Sequence, residues 1–480
     1  MRALAIDVGS SSVRTALVDE RGEVTHARQH SLTVRSPQPG EVELDALEIA
    51  GVALDLASRT LRAGGPADAV GITNQRATTI VFDARTGRPV GPALSWQDLR
   101  TVLDCLALQD EGLRLAPNQS ATKIRWLAER STEPSSQLRF ATIETWVAWH
   151  FSEGSTFVTD RSNASVTGLV EMTASAWDER ALAVLGLDSA MLPQLVDAMG
   201  GHGVATALPG APPILALIGD QPASLFGQSR VRGGAKITFG TGAMLDAVHD
   251  VAPTSLRRLD SGCYPTVVRS REGKVTWGVE GIVLSAGTCV EWLRELGLIS
   301  TLDDSDALAR SVPSTEGVSF VPAFLGLGTP QWDFGARGAF FGLSRGSNAA
   351  HLVRAVLEGV AHRGADLLDA AEAEIGESLG DVRVDGGMSV NRFFVQRLAD
   401  FSGRTVAVSS EREATTRGAG LMALVQSGAM ELDDVAALWA PAHVATPALD
   451  DGARAAAREA WLVDVSRAAR TVPELSAVTF

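Results

Sequence analysis

Short apolar runs alternate with helix-like segments along most of this 480-residue chain. The apolar runs are rich in β-branched residues and predict strands at 2–7, 15–19, 69–73, 78–83, 214–220, 236–240, 275–279, 318–323, 381–387 and 405–410. Segments with helical periodicity predict helices at 47–63, 120–130, 352–375, 391–402 and 453–470. Strands interleaved with helices are typical of α/β architecture, so the sequence predicts an α/β fold.

The length of the chain predicts more than one domain, because a single hydrophobic core rarely grows beyond about 250 to 300 residues. The segment from about 245 to 260 lacks clear periodicity, and we place a candidate domain boundary there. A weak internal similarity supports two related halves. Residues 7–19 and 385–394 each join a strand to a turn of small residues that carries an aspartate.

Charge and hydropathy exclude some classes of partner. The formal net charge of −15 argues against nucleic acid, because that binding depends on Lys and Arg neutralising phosphates. We find no run of 18 apolar residues that would span a membrane. The first ten residues lack the apolar core of a signal peptide, so we expect a cytoplasmic protein.

Several well-known catalytic motifs are absent from the sequence. None of the three lysines lies in a GxxxxGK[ST] phosphate loop, and HExxH does not occur. Cys105, Cys263 and Cys289 share no metal or redox spacing, so we expect them to be small, reduced core residues.

Three turns rich in small residues are candidate phosphate sites. Asp7 ends a predicted strand and is followed by Gly9–Ser12, where backbone N–H groups of a hairpin turn can bind an anion. Thr238–Gly242 follows a second strand, and Asp385–Asn391 joins a third strand to a helix. Asp7 is also a candidate Mg²⁺ ligand. Each turn alone is more typical of an ordinary loop, but together the three favour a divided nucleotide site.

Asp220 stands at the carboxyl end of a predicted apolar strand, where α/β folds bind ligands. With an ordinary pKa near 4 its carboxylate is ionised and can accept a proton from an attacking hydroxyl group. The alternative role is capping of the helix that follows.

At this point the sequence resembles the FGGY carbohydrate kinases, and among them the glycerol kinases. The resemblance extends from about residue 3 to about residue 425. It is carried by GITNQR, SWQD, SATKIRWL, TDRSNAS, PAFLGLGTPQWD and GAFFGLSRGSNAAHLVRAVLEG. It implies a two-domain actin/hexokinase-like ATPase fold, which is ribonuclease H-like, with ATP and substrate in an interdomain cleft. The implied limits are 1–245 for the first domain, 246–430 for the nucleotide-binding domain and 431–480 for a helical tail packed on the second domain.

The resemblance also implies roles for individual residues. Asp220 would be the general base, and Asp7 would bind Mg²⁺. The residues implied to bind ATP are Ser10, Ser11, Ser12, Arg14, Gly240, Thr241, Gly287, Glu291, Gly387 and Asn391. Glu291 stands where glycerol kinases usually have glutamine. The substrate would meet Arg76, Ala77, Trp96, Asn118, Asp220, Gln221 and Met244.

Three of these substrate positions depart from the glycerol kinase pattern. Ala77 replaces a glutamate that accepts hydrogen bonds from the polyol, Asn118 replaces a tyrosine and Met244 replaces a phenylalanine. A hydrogen bond to a charged group contributes about 1.5 to 3 kcal/mol, which is a roughly 10- to 150-fold effect on affinity. We therefore expect a tetritol, pentitol or ketose as the substrate. Two alternatives stay open: a slip in the local alignment, or a glycerol kinase in which Gln75 or Gln119 replaces the lost contacts.

A catalytically silent, sugar-binding regulator is the alternative from another class. It would need neither a metal-binding carboxylate nor a base, whereas Asp7 and Asp220 are both present. The family also includes dimers and tetramers, so the resemblance allows a homodimer or homotetramer.

The change at position 77 generates a prediction. Ala77→Glu restores an acceptor beside Arg76, so we expect it to shift specificity towards glycerol by about 10-fold or more. The measurement is kcat/KM for glycerol against four- and five-carbon polyols, in wild type and variant. An unchanged ratio would contradict the assignment of position 77 to the substrate pocket.

Overall fold

The computed structural model describes residues 1–411 and 413–478. Its strands, in chain order, are β1 (Arg2–Val8), β2 (Ser12–Asp19), β3 (Val24–Ser31), β4 (Glu43–Leu44), β5 (Ala69–Asn74), β6 (Ile80–Asp83), β7 (Arg88–Pro89), β8 (Ala93–Leu94), β9 (Leu138–Ala141), β10 (Val158–Asp160), β11 (Gln194–Val196), β12 (Ile214–Gly219), β13 (Ala235–Phe239), β14 (Ala243–Val248), β15 (Tyr264–Arg271), β16 (Lys274–Val283), β17 (Ser319–Val321), β18 (Ala339–Phe341), β19 (Val382–Asp385), β20 (Val406–Ser409) and β21 (Pro441–Ala445).

The α-helices are α1 (Ala46–Gly64), α2 (Val102–Leu108), α3 (Ala121–Glu129), α4 (Ile143–Phe151), α5 (Arg161–Ala164), α6 (Glu179–Leu185), α7 (Asp220–Gly227), α8 (Gly287–Glu295), α9 (Asp304–Arg310), α10 (Ala349–Ile375), α11 (Arg392–Ser402), α12 (Ala414–Gln426), α13 (Leu432–Ala437), α14 (Asp451–Ala468) and α15 (Pro473–Ser476). Every strand and helix predicted from the sequence is present, with ends that differ by a few residues. The α/β prediction is therefore confirmed.

The first large sheet has the strand order β12-β5-β1-β2-β3. Strand β1 pairs antiparallel with β2 and parallel with β5, which pairs parallel with β12. Successive residues of a strand face opposite sides of the sheet. Leu4 and Ile6 therefore pack in the core with α1 and α4, while Ala3 and Ala5 pack in the core with α7 and α12. The small alanines allow a helix to lie close to the sheet.

The second large sheet, of order β15-β16-β14-β13-β19-β20-β21, repeats the centre of the first. Strand β13 pairs antiparallel with β14 and parallel with β19, as β1 does with β2 and β5. The turn that corresponds to Gly9–Ser12 is therefore Gly240–Gly242. The predicted similarity between residues 7–19 and 385–394 is wrong. Residues 385–394 begin at the end of β19, and β19 occupies the position of β5. The counterpart of residues 7–19 is the β13–β14 hairpin. Helices α8, α10 and α11 contribute to the core of this sheet.

The chain passes from the first sheet to the second between Gly227 and Ala235. The predicted division at 245/246 falls within β14, a strand of the second sheet. Helix α12 was not predicted, and it packs on the first sheet although it follows β20 in sequence. The tail helix α14 packs against β17 through Trp461 and Val465. The division into domains stays a prediction.

No helix in 1–411 or 413–478 is long and apolar enough to cross a membrane. The three cysteines are buried and form no disulfide, and burial raises the thiol pKa of Cys263 and Cys289 to about 12.

Helices α7 and α12 are in backbone contact through two glycines. A methyl group on Gly418 would overlap the carbonyl oxygen of Ala223, and one on Gly227 would overlap that of Ala414. This contact fixes α7, the helix that begins with Asp220.

The contact predicts a large effect of one methyl group. Gly418→Ala forces the two helices apart, so we expect it to lower the free energy of unfolding by about 1 to 3 kcal/mol. Thermal unfolding measures the change. The matched control is Gly51→Ala on α1, where nothing lies within 4 Å of the added methyl group. We expect that control to be neutral or stabilising, because alanine is the better helix former. Equal melting temperatures for the two variants would contradict the packing.

Candidate active site

The second and third small-residue turns lie side by side. Thr238 pairs in register with Asp385, and Gly386, at φ 86°, lies so close to Phe239 that a methyl group would overlap its backbone. Gly287 donates its N–H to the carbonyl of Gly240 at 2.9 Å. The structure therefore brings Gly240, Thr241, Gly287 and the turn that holds Gly387 together, as expected for one nucleotide site.

The first turn adjoins the predicted substrate residues. Gly9 donates its N–H to the carbonyl of Ser12 at 2.9 Å and closes the turn, with Ser10 and Ser11 at its tip. The indole Nε1 of Trp96 donates to Ser10 Oγ at 3.1 Å. A residue predicted to bind substrate thus contacts a residue predicted to bind ATP.

Arg76 lies between the two sheets, although it was predicted only as a substrate ligand. It follows β5 of the first sheet, and its Nη2 donates to Glu280 on β16 of the second. Its Nη1 donates to Thr266 Oγ1 on β15 at 3.4 Å, and its Nε lies 3.5 Å from Asp220 Oδ1. Arg76 therefore carries an ion-pair network that joins the halves of the molecule.

Asp220 is the first residue of α7, directly after β12. Its Oδ1 accepts a hydrogen bond from the N–H of Gln221 at 2.8 Å, while Gly219 is the N-cap residue. Asp220 is therefore not the N-cap residue of α7, although its side chain accepts a hydrogen bond from the first turn of that helix. The side chain keeps 30% of its surface exposed, so a substrate hydroxyl can approach it.

Burial controls the electrostatics of this cluster. It raises the pKa of Asp220 above the ordinary value, although the positive charge of Arg76 opposes the shift. Burial likewise raises the pKa of Glu280, again opposed by Arg76. Neighbouring carboxylates raise the pKa of Arg76, which stays a cation. Asp220 is consequently a stronger base than an exposed aspartate.

A second buried ion pair lies beside the first. Lys236 on β13 lies 3.0 Å from Asp246 on β14 and donates to Gln221 Oε1 at 2.9 Å. Both charged side chains are almost fully buried. Asp246 pairs in register with Glu280, so two acids face the same region from neighbouring strands. Lys236 thereby fixes the amide of Gln221.

Three further charged residues of the site, Glu280, Asp246 and Lys236, were not predicted from the sequence. A signal was present, because each is a charged residue within an otherwise apolar strand. Only the strand register shows that the three share one face of the second sheet.

Asp7 and Arg14 lie in register on β1 and β2. Burial raises the pKa of Asp7 to about 7, against the opposing charge of Arg14, and the charge of Asp220 raises it further. Asp7 Oδ2 accepts a hydrogen bond from Thr416 at 3.2 Å. Arg14 is positioned by Glu413 at 2.5 Å and Gln29 at 3.0 Å.

Two predicted nucleotide residues are already engaged elsewhere. Glu291 on α8 pairs with Arg294 on the protein surface. The side chain of Asn391 caps α11 by accepting from Phe394 N, and it donates to Ser305 Oγ at 2.9 Å. Their contact with nucleotide stays a prediction.

The three substituted positions differ in exposure. Ala77 is buried with a positive φ of 60°, and its carbonyl accepts a hydrogen bond from Ser120 at 3.0 Å. Asn118 is exposed, and Met244 is partly exposed on β14. Neither Ala77 nor Met244 offers a strong hydrogen-bonding side chain for a substrate.

Comparisons with known proteins cover nearly the whole chain. Residues 2–227 match the N-terminal domain of the FGGY family of carbohydrate kinases, and residues 235–427 match its C-terminal domain. A glycerol kinase of Halorhodospira halophila is 38% identical over 97% of this chain and 96% of its own length. One of Aromatoleum aromaticum is 39% identical over 97% of this chain and 98% of its own.

The same relationship holds at the level of structure. The crystal structure of Plasmodium falciparum glycerol kinase with ADP superposes with a TM-score of 0.90 at 27% identity, covering 100% of this chain and 99% of that one. The predicted actin/hexokinase-like fold and the family resemblance are therefore confirmed. The chain belongs to the FGGY family of carbohydrate kinases, which transfer a phosphoryl group from ATP to an alcohol group.

Proposed function

We propose that this enzyme transfers the γ-phosphoryl group of Mg²⁺-bound ATP to a hydroxyl group of a four- or five-carbon polyol or ketose. The observation that carries the proposal is the cluster of Arg76, Asp220 and Glu280 between the two sheets, beside the Ser10 turn. The cluster supplies a base and a fixed cation at the junction of the two sheets.

Asp220 is the proposed general base. Its raised pKa makes it a better proton acceptor than an ordinary aspartate, while Arg76 keeps the ionised form accessible. The carboxylate takes the proton from the substrate hydroxyl as that oxygen bonds to the γ-phosphorus. The bond from the γ-phosphorus to the β–γ bridging oxygen breaks, and ADP leaves.

The nucleotide would lie across the three turns. Backbone N–H groups around Ser10–Ser12 and Gly240–Thr241 are suited to the phosphates, and Gly287, Glu291, Gly387 and Asn391 would border the rest of the nucleotide. Arg14, whose position is fixed by Glu413, would add positive charge where phosphate charge develops.

Asp7 fits a role in holding Mg²⁺. Its carboxylate accepts one protein hydrogen bond, and burial raises its pKa although the charge of Arg14 opposes the shift. No group of three metal-ligating side chains occurs among the described residues. Mg²⁺ in kinases is commonly bound by one or two carboxylates together with substrate phosphates, so this donor set is sufficient. When bound, the ion would neutralise charge on the phosphates.

The residues at the three substituted positions support a substrate longer than glycerol. Ala77 removes an acceptor close to Arg76, whose carboxylate partner Glu280 is itself largely buried on the second sheet. Trp96 and Asn118 are exposed. An alanine is smaller than the glutamate of the glycerol kinase pattern and leaves room for a longer chain of hydroxyl groups. We place the reaction in the cytoplasm, where its ATP would be available.

A glycerol kinase with a compensated pocket is the second candidate. Glu280 gives Arg76 an acidic partner, and Gln75 is buried with no hydrogen-bond partner for its amide in the described structure. Gln119 is a weaker substitute, because its Oε1 already accepts from Ala116 N at 3.0 Å.

The first test is ADP release with Mg²⁺ and ATP across glycerol, erythritol, threitol, the pentitols, xylulose and ribulose. We expect the highest kcat/KM for a four- or five-carbon compound, and a loss of about 10²- to 10⁴-fold in kcat for Asp220→Asn.

Because the pKa of Asp220 is raised, kcat/KM should fall on the acid side at a higher pH than for an ordinary carboxylate.

The matched control is Asp451→Asn, a change at a carboxylate that is 95% exposed on α14, which should leave turnover unchanged. A strong preference for glycerol would favour the second candidate. Full activity of Asp220→Asn would rule out this residue as the base.

A further prediction concerns stability in the absence of metal. The pKa of Asp7 is higher in the folded state, at about 7, than its ordinary value of 3.8. The folded state therefore binds more protons, so its stability falls as pH rises from about 4 to about 7. We expect Asp7→Asn to raise the melting temperature at pH 8 in EDTA, with a smaller gain at pH 5.

Addition of Mg²⁺ and ADP at pH 8 should stabilise the wild type more than Asp7→Asn. Calorimetry at the two pH values provides the measurement, with Asp451→Asn again as the control. The same gain at both pH values would show that the charge of Asp7 is not the cause.

A further inference from the structure

A cavity of about 570 Å³ lies at the passage between the two sheets. It shares no lining residue with the candidate active site. Its walls come from β15 and β16, from the 228–234 connection between the sheets, and from residues near β11 and in α13. Six charged side chains line it: Arg232, Arg269, Arg271, Lys274, Asp250 and Glu272.

The charge of this lining contrasts with that of the whole protein. Its four cations and two carboxylates sum to +2, whereas the chain carries −15. A local positive potential in an acidic protein attracts small anions to that one place.

Arg269 is the most unusual of these cations. Its Nη1 donates to the carbonyl of Val231, in the connection between the sheets. Within the described residues no carboxylate lies within 4.0 Å of its guanidinium nitrogens, and burial lowers its pKa although the charge of Asp250 partly opposes the shift. A partly buried guanidinium normally pairs with an anion, because its desolvation is otherwise uncompensated.

The other three cations have only weak partners. Arg271 lies 3.4 Å from Glu272, and Lys274 lies 3.5 Å from Asp250. Arg232 pairs with Asp433 at 2.5 Å on the surface, where both side chains are largely exposed. Exposed pairs of this kind contribute little, so an incoming anion can replace them.

We infer that this cavity binds a small dianionic phosphate group, either free or carried by a compound of a few carbons. Arginine forms bidentate hydrogen bonds with phosphate, and two arginines on one strand, Arg269 and Arg271, line the same cavity. A charge of −2 matches the surplus of the lining. The volume lies within the range of small-ligand pockets and exceeds what phosphate alone requires.

The test is titration calorimetry at fixed ionic strength, with inorganic phosphate and glycerol 3-phosphate as separate probes, on protein saturated with Mg²⁺ and ADP. We expect binding to wild type and affinity at least about 10-fold lower for Arg269→Gln. Arg310→Gln, a surface ion-pair residue of α9, is the control and should bind as wild type does. Tighter binding of the ester identifies a phosphorylated compound as the ligand, and equal binding identifies the phosphate ion.

If Arg269→Gln does not fold, Arg271→Gln and Lys274→Gln provide the test. Both side chains are at least one-third exposed, so we expect their replacement to leave the fold intact. Each should weaken binding while the melting temperature and Mg²⁺–ADP binding are retained. Absence of binding to wild type, or equal affinity for the wild type and all the cavity variants, would overturn the inference.

Discussion

The buried ion pair between Arg76 and Glu280 is the interaction on which the candidate active site depends. It joins the end of a strand in the first sheet to a strand in the second, and Asp220 lies beside it. Burying charge is costly unless each charge is paired, and here Lys236 and Asp246 form the neighbouring pair. The two cations therefore limit how far burial raises the pKa of Asp220, and in that way they affect its strength as a base.

Close backbone contacts give this cluster its geometry. A methyl group on Gly219 would lie 2.5 Å from Cδ of Arg76, so the absence of a side chain there allows the arginine to cross in front of β12. The α7–α12 contact through Gly227 and Gly418 holds the helix that begins with Asp220. Glycine thus contributes to the site through packing, in addition to its role in the phosphate turns.

Much of the fold and part of the site were predictable from the sequence. Apolar periodicity predicted ten of the strands and the helices α1, α3, α10, α11 and α14, and glycine and hydroxyl residues at strand ends marked the three turns. Helix α12 escaped prediction because the glycines that let it approach the first sheet also lower its helix propensity. Glu280 escaped because it lies 204 residues from Arg76. The family resemblance indicated which residues bind ATP, Mg²⁺ and substrate, and the role of each of these residues stays a prediction.

The sequence by itself determined the α/β class, ten of the strands and the chemistry available at their ends. These are local properties, since they depend on residue type and on spacing along the chain. Only the tertiary structure decided that Glu280 meets Arg76 and that burial raises the pKa of Asp220 and Asp7. It likewise decided that four cations surround one cavity. The physical reason is that ion pairing and desolvation depend on distances through space, which strand register and helix packing set between residues far apart in sequence.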